Sequence, residues 1–220
     1  MFLHGYLSCK ESFNYQIDFF SRNYRVLAPD LTGFGENLPL TSPYFLDDYV
    51  KDVLKLLNQL DIKRYHIICH SFGARIAIKL ATFDKRIDKI IITGGAGLKP
   101  KRSISYYFKV YSYKILKKLF KNKNFSRFGS SDYKRLNDIE KLSFKRIINE
   151  NLDDLLCKID NKVLLIYGKK DTETPIYMAK KFNKGIKNSK LELIDGNHFC
   201  FVSNYEKFNN IAIKFLKENS

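Results

Sequence analysis

The stretch that decides the fold of this chain is Tyr65-His66-Ile67-Ile68-Cys69-His70-Ser71-Phe72-Gly73-Ala74-Arg75-Ile76-Ala77-Ile78-Lys79. It begins with an apolar, β-prone run that is too short for a helix. After a serine between small residues, apolar side chains recur at helical spacing, with Ile76, Ala77 and Leu80 on the inward face. The pattern predicts a strand, a sharp turn at Ser71 and a helix.

A serine in such a turn is held in a strained conformation that presents its hydroxyl above a sheet, where a histidine can reach it. The turn requires small residues two positions away on either side. Gly73 meets this requirement, and Cys69 stands where the general pattern has a second glycine. The helix that begins here points its free N–H groups and the positive end of its dipole at Ser71, so the Phe72 N–H is a candidate to bind an oxyanion.

Four further segments accompany this turn along the chain. They are Phe2-Leu3-His4-Gly5-Tyr6, Ala28-Pro29-Asp30-Leu31-Thr32-Gly33-Phe34-Gly35, Leu164-Leu165-Ile166-Tyr167-Gly168-Lys169-Lys170-Asp171 and Gly196-Asn197-His198-Phe199. With these five segments in this order, the sequence resembles the α/β-hydrolase fold family over nearly its whole length. The order carries the resemblance, because it is much harder to obtain by chance than any one segment.

The resemblance implies an α/β fold with a mostly parallel sheet, helices on both of its faces and an inserted helical cap. Alternating strand and helix patterns along the chain are themselves typical of a parallel sheet covered on both faces. We expect residues 1–97 to form the first part of the core, 98–160 the cap and 161–220 the second part of the core.

Apolar periodicity predicts the individual elements. Helices are expected around residues 13–20, 46–60, 133–139, 144–156, 176–182 and 205–216, and strands at residues 25–28, 87–93, 163–167 and 191–194.

The aromatic side of the expected cap supports an apolar pocket. Tyr107, Phe108 and Tyr111 are its candidate substrate-binding residues. A competing interpretation places this basic, aromatic face on an anionic membrane, although we favour packing in the pocket and core. Sedimentation with anionic liposomes at moderate salt distinguishes the two.

The His-Gly strand begins almost at Met1, whereas the family's sheet usually starts with two earlier strands. We expect this strand to be a stub whose neighbours carry unpaired backbone groups, which is costly. Our hypothesis is that the true start of the protein lies upstream, or that this is a truncated product. An intact mass of the native protein equal to that of these 220 residues would exclude an upstream start.

The composition is that of an ordinary globular protein, with 45% hydrophobic and 28% charged residues. A chain of 220 residues has room for one domain and an inserted cap. No apolar run is long enough to span a bilayer, and the N-terminus lacks the basic and apolar regions of a signal peptide. We therefore expect a cytoplasmic protein.

The formal net charge of +16 would suit a nucleic acid or an anionic membrane through non-specific attraction. No nucleic-acid motif accompanies the lysines, so we interpret the charge as a solvated surface and expect no nucleic-acid partner. The four cysteines lack metal-ligand spacing and are expected to be free thiols.

Four histidines are candidates for a catalytic base. His66 lies inside the strand before the turn, and His70 adjoins Ser71 with a side chain that should diverge from it. His4 belongs to the oxyanion turn, for which the resemblance implies a structural role. His198 follows a strand in a glycine-containing loop and occupies the family's position, so we predict that it is the base.

Asp171 is the predicted acid, because it follows a strand at the carboxyl edge of the sheet and the order Ser, Asp, His is that of the fold. Asp195, close to His198 in sequence, is the alternative, although it suits a turn better. Asp30 is likewise expected to shape a loop. The resemblance assigns the second oxyanion donor to the N–H of Tyr6, and the mechanism requires no metal or organic cofactor.

The expected partner is a small-molecule acyl substrate, with an ester that has an apolar part as the leading candidate. The same three residues also serve carbon–carbon bond hydrolysis, thioester cleavage and lyase chemistry in related enzymes, and the fold does not separate these reactions. A further alternative is a catalytically inactive binding protein, which Cys69 and the short first strand favour. Retention of Ser71, Asp171 and His198 together argues against it.

Overall fold

A computed structural model of the chain describes residues 1–101 and 136–218. Within them a parallel five-stranded sheet forms the centre of the molecule, and the spatial order of its strands is the order along the chain. The strands are β1 (Phe2–Leu3), β2 (Tyr65–His70), β3 (Ile87–Thr93), β4 (Lys162–Gly168) and β5 (Ser189–Ile194). All strands therefore end at the same edge, where parallel α/β sheets carry their sites.

Helices connect the strands. They are α1 (Asn14–Ser21), α2 (Leu46–Gln59), α3 (Phe72–Ala81), α4 (Asp138–Asn149), α5 (Ile176–Gly185), α6 (Cys200–Ser203) and α7 (Tyr205–Lys217), with 3-10 turns at Lys10–Phe13 and Asp153–Lys158. Most of the elements expected from the sequence are confirmed to within a few residues. Of the predicted helix at 133–139, residues 133–135 lie outside the described part of the chain, and residues 138–139 belong to α4.

Alternate residues of the strands pack on opposite faces of the sheet, as the two-residue period of a strand requires. In β3, Ile90 and Ile92 join the cluster formed with α2, α3 and α5, whereas Ile91 joins the cluster formed with α1 and α7. Both faces are thus covered by helices. This arrangement confirms the α/β fold class with a parallel sheet between two helical layers.

One predicted strand does not form. Residues 25–28 run beside β1 without pairing as a strand, and the Phe2 N–H donates to the Leu27 carbonyl at 2.8 Å. The reason lies in β1, which is only two residues long and offers too short an edge for a ladder.

The helix predicted at 144–156 is also wrong in its extent. It begins earlier, at Asp138, and ends at Asn149, and a 3-10 turn covers Asp153–Lys158. At this end the buried Arg75 guanidinium donates to the carbonyls of Ile147 and Glu150, both at 2.8 Å. A side chain from α3 therefore satisfies carbonyls that a longer helix would have used itself.

Lys89 is buried within β3, contrary to what a lysine usually does. Its ammonium donates to the carbonyls of Phe215 and Leu216, at 3.2 and 3.0 Å. The cation thus stabilises the C-terminal end of α7, where unpaired carbonyls and the helix dipole favour positive charge.

A cavity of about 620 Å³ lies between residues 24–27 and the first residues of β2. It opens at the amino ends of the strands, whereas Ser71 follows the carboxyl end of β2, so this cavity is remote from the expected site. None of the helices within 1–101 and 136–218 combines the length and apolar character that a membrane crossing demands.

Candidate active site

Ser71 occupies a strained turn between β2 and α3, with φ 47° and ψ −105°. Its N–H donates to the Thr93 carbonyl at 3.1 Å, which fastens the turn to the end of β3. A Cβ added at Gly73 would lie 2.2 Å from the carbonyl oxygen of Leu3, so the tight packing of α3 on β1 requires glycine there. A non-glycine residue with positive φ is uncommon, and such strain persists where the surrounding structure enforces it.

Cys69, in place of the second glycine, is accommodated. Its side chain is fully buried in the apolar cluster on the α3 side of the sheet, and its thiol lies 3.4 Å from the Ile91 carbonyl. Burial raises the pKa of the thiol well above its usual value, so the sulfur stays protonated and inert.

The structure brings Asp171 and His198 together, although 27 residues separate them in sequence. Asp171 follows β4, His198 lies between β5 and α6, and His198 Nδ1 is 2.9 Å from Asp171 Oδ2. Because a carboxylate only accepts, this ring nitrogen carries the proton, which leaves the Nε2 lone pair free to take another. Both side chains are buried.

Asp171 is held by donors that sequence reasoning missed. The N–H groups of Glu173 and Thr174 both donate to Oδ1 at 2.9 Å, and the Thr174 hydroxyl donates to Oδ2 at 2.8 Å. Burial opposes ionisation of Asp171, but the bonds from His198 and Thr174 outweigh it and hold the pKa of the carboxyl below its usual value. A signal was present: a threonine three residues after an aspartate commonly closes a side-chain-capped turn.

Two neighbours fix the His198 ring. His70 points from the end of β2 to the His198 loop, with its Nε2 3.1 Å from the His198 carbonyl and the two ring centroids 4.5 Å apart. A Cβ at Gly94, whose φ is +53°, would lie 2.9 Å from His198 Cε1 and Nδ1. The divergence of the His70 side chain from Ser71 is as expected, and the ring serves the histidine loop instead.

Within residues 1–101 and 136–218 the Ser71 hydroxyl forms no hydrogen bond, either to His198 or to another group. The residue directly follows His70, whose ring contacts the His198 ring. In proteins without substrate such bonds are often long and shorten only in the reacting complex.

The two oxyanion candidates are neighbours. The Tyr6 ring packs edge-on against the Phe72 ring, with centroids 5.4 Å apart, and Phe72 is the first residue of α3. First-turn N–H groups of a helix have no partner within the helix, so the Phe72 N–H is free to bind an anion.

His4 has a structural place: its Nε2 accepts from the Leu31 N–H at 2.9 Å, and its Nδ1 lies 2.7 Å from the Gly5 carbonyl. These bonds tie the turn before Tyr6 to the loop after residue 30. Burial lowers the pKa of His4, which suits a ring that accepts a backbone bond and must stay neutral.

The other alternative residues lie elsewhere. Asp195 is exposed and pairs with Lys169 at 2.9 Å, and Asp30 accepts the N–H groups of Lys10 and Glu36 and so shapes its loop. His66 lies in β2, with its Nδ1 3.6 Å from an Asp88 oxygen.

The cap candidates Tyr107, Phe108 and Tyr111 lie outside the described residues. In the described ranges, no three His, Cys, Asp or Glu side chains converge in a way that could hold a metal ion.

Comparisons with known proteins bear on the family and the fold of the chain. The sequence model of a family described as alpha/beta hydrolase fold matches residues 1–115. A 2-hydroxy-6-oxononadienedioate/2-hydroxy-6-oxononatrienedioate hydrolase of Pseudomonas putida is 26% identical over an alignment of 238 positions, which includes 90% of this chain and 82% of that protein.

Solved structures share the fold. An esterase from Exiguobacterium antarcticum superposes with a TM-score of 0.77 at 22% identity, covering 99% of this chain and 91% of that one. An enol-lactonase from Burkholderia xenovorans gives a TM-score of 0.77 at 19% identity, with 99% and 90% covered.

Proposed function

Because the chain belongs to the α/β-hydrolase fold family, we propose that it is a serine hydrolase that cleaves small esters or other acyl compounds with an apolar part. The observation that carries the proposal is the buried hydrogen bond between Asp171 and His198 beside the strained turn at Ser71. The names of relatives, an esterase and an enol-lactonase among them, are consistent with acyl chemistry.

The proposed reaction has two halves. His198 Nε2 takes the proton of the Ser71 hydroxyl as its oxygen attacks the carbonyl carbon, and the resulting imidazolium gives that proton to the departing alcohol. Water, deprotonated by the same Nε2, then attacks the acyl-enzyme, and the imidazolium returns this proton to the Ser71 oxygen as the acid leaves. Asp171 keeps the ring in the orientation and tautomer that expose Nε2.

The tetrahedral intermediate of each half bears a negative oxygen. We assign its stabilisation to the backbone N–H groups of Tyr6 and Phe72, the second of which also has the positive end of the α3 dipole behind it.

Labelling with a fluorophosphonate probe, followed by peptide mapping, tests the proposal. We expect modification at Ser71 in the chain and none in Ser71→Ala, while Ser203→Ala, which removes an exposed serine, keeps full labelling. Absence of labelling in protein that circular dichroism shows to be folded would contradict the proposal and favour the inactive binding protein.

A second candidate is carbon–carbon bond hydrolysis, which the name of the relative from Pseudomonas putida favours. Turnover of a 2-hydroxy-6-oxo-dienedioate, compared with turnover of p-nitrophenyl acetate by the same preparation, separates the two. If the dienedioate is consumed faster than the ester, and only when Ser71 is present, carbon–carbon bond hydrolysis would replace ester hydrolysis as the proposed reaction.

A further inference from the structure

His198 stands between two carboxylates. Asp171 is bonded to Nδ1, and on the other side Glu173 Oε2 lies 3.6 Å from Nε2, the nitrogen that would exchange protons with substrate. The two acids differ in burial, because the side chain of Asp171 is 1% exposed and that of Glu173 is 65% exposed. Glu173 therefore belongs to the solvent side of the site, from which a substrate enters.

The backbone holds Glu173 in this place. Its N–H donates to Asp171 Oδ1 at 2.9 Å, so the residue is part of the same tight turn that fixes the acid. Its carboxylate can swing on its side chain but stays tethered within a few ångströms of the ring. At 3.6 Å it is too far from Nε2 for a hydrogen bond, so the contact leaves the carboxylate available to another group.

The described residues also place no lysine or arginine beside this carboxylate. The chain has 39 such residues, yet among residues 1–101 and 136–218 none is within ion-pair distance of Glu173. Within the part of the chain that the structure describes, the base thus has beside it a carboxylate without a basic partner, although the net charge of the chain is +16.

This inference rests on the proposed hydrolase function. In that reaction Nε2 delivers its proton to the leaving group, so the leaving group must lie beside Nε2 and within reach of Glu173. We propose that Glu173 selects substrates whose leaving alcohol carries a positive charge, such as an aminoalkyl or trimethylammonioalkyl ester, and disfavours substrates with a carboxylate there.

Phe199 supports the same ligand chemistry. Its ring is 43% exposed and lies edge-on to the His198 ring, with centroids 5.5 Å apart. An exposed aromatic face attracts quaternary ammonium groups, because the ring quadrupole is negative above its plane. A carboxylate and an exposed aromatic ring, both next to the His198 ring, together suit a bulky cation.

The net charge of the chain acts in the opposite direction, since it attracts anions from a distance. Salt screens that field with a Debye length of about 8 Å at physiological ionic strength. Glu173, in contrast, lies 3.6 Å from Nε2, beside which the leaving group would stand. We therefore expect the local charge to set the preference. The relative from Pseudomonas putida differs in this respect, because its named substrates are dicarboxylates.

Acetylcholine and 3,3-dimethylbutyl acetate test the inference, since they have the same shape and differ only in the charge of the quaternary centre. We expect kcat/KM of the chain to favour acetylcholine about threefold to fivefold, the size of an exposed ion pair. Glu173→Gln should abolish this preference and Glu173→Lys should reverse it. Glu192→Gln, which removes the same charge from an exposed position on β5, should keep it. Raising NaCl to 0.5 M should reduce the preference.

The outcomes distinguish a failure of the inference about Glu173 from a failure of the proposed hydrolase function. An equal preference in the parent chain and Glu173→Gln, with both esters cleaved in a Ser71-dependent manner, would overturn the inference and leave the hydrolase function intact. If neither ester is cleaved, the inference is tested by binding of tetramethylammonium, measured by NMR. The cation should shift the His198 ring resonances of the parent chain and not those of Glu173→Gln. No shift in the parent chain would overturn the inference.

Discussion

Thr174 shows how much the candidate site depends on single residues. Its hydroxyl donates to Asp171 Oδ2 at 2.8 Å and lies 3.3 Å from His198 Nδ1, so it touches both members of the acid–base pair. The carboxylate thereby keeps one oxygen aligned with the ring, while two backbone N–H groups hold the other oxygen. Hydrogen bonds to an ionised group are stronger than those between neutral groups. Loss of the Thr174 hydroxyl should therefore impair His198 as a base.

We predict that Thr174→Val lowers the rate constant of Ser71 labelling by a fluorophosphonate about tenfold, because a hydrogen bond to a charged group contributes about 1.5 kcal/mol. Thr174→Ser, which keeps the hydroxyl, should label at nearly the rate of the parent chain. The rate is measured by gel fluorescence at several probe concentrations. Equal rates for the valine and parent proteins would show that the backbone donors alone fix Asp171.

At the scale of elements, the contact between α3 and α4 joins the serine helix to the segment that precedes β4. Arg75 of α3 is buried, and its guanidinium donates to two carbonyls at the C-terminal end of α4. Burial lowers the pKa of Arg75 to about 10, with Glu150 acting in the opposite direction, so the group stays cationic at neutral pH. A buried cation at this end of a helix satisfies orphan carbonyls and complements the dipole.

We predict that Arg75→Met loosens α4 specifically. Amide protons of residues 138–149 should lose protection against hydrogen exchange by about tenfold to a hundredfold, which corresponds to one or two charge-assisted hydrogen bonds. Arg75→Lys should lose less protection than Arg75→Met but more than the parent chain, because an ammonium lacks the planar fork that reaches both carbonyls. Equal loss of protection in β2, β3 and α4 would mean global destabilisation instead of a local loss of packing.

For the whole molecule, the response of stability to acid follows from histidines that are buried in the neutral form. His70 is 1% exposed, and burial followed by repulsion from His198 lowers its pKa from 6.5 to about 3. Its Nδ1 has no partner within the described part of the chain, while Nε2 is held by the His198 carbonyl. Between the two pKa values the unfolded chain binds a proton that the folded chain does not, so folding becomes less favourable as the pH falls.

We predict that the free energy of unfolding falls between pH 7 and pH 5 by about 2 kcal/mol more in the parent chain than in His70→Asn, the difference expected for a group that titrates only when unfolded. Urea titrations at the two pH values measure it. The variant should be less stable at pH 7, because it loses the bond to the His198 carbonyl, and only the difference in pH dependence tests the titration. Identical pH dependence in both proteins would show that His70 titrates in the folded state much as it does in the unfolded chain.

Local patterns along the chain were sufficient for the type and order of most elements, because the spacing of apolar side chains directly reflects a strand or a helix packed on one core. Together with the resemblance to the family, they led to the prediction of Ser71, Asp171 and His198, each of which follows a strand at the carboxyl edge of the parallel sheet. They failed for residues 25–28, where a suitable sequence lacks a long enough neighbouring strand.

The sequence by itself determined the parallel α/β fold and the residues at which its strands end. Only the tertiary structure decided that Asp171, and not Asp195, meets His198, that His70 supports the histidine loop, and that Glu173 faces Nε2. The physical reason is distance along the chain. Periodicity is a property of neighbouring residues, whereas these contacts join loops from β2, β4 and β5 that approach one another only after the sheet has assembled.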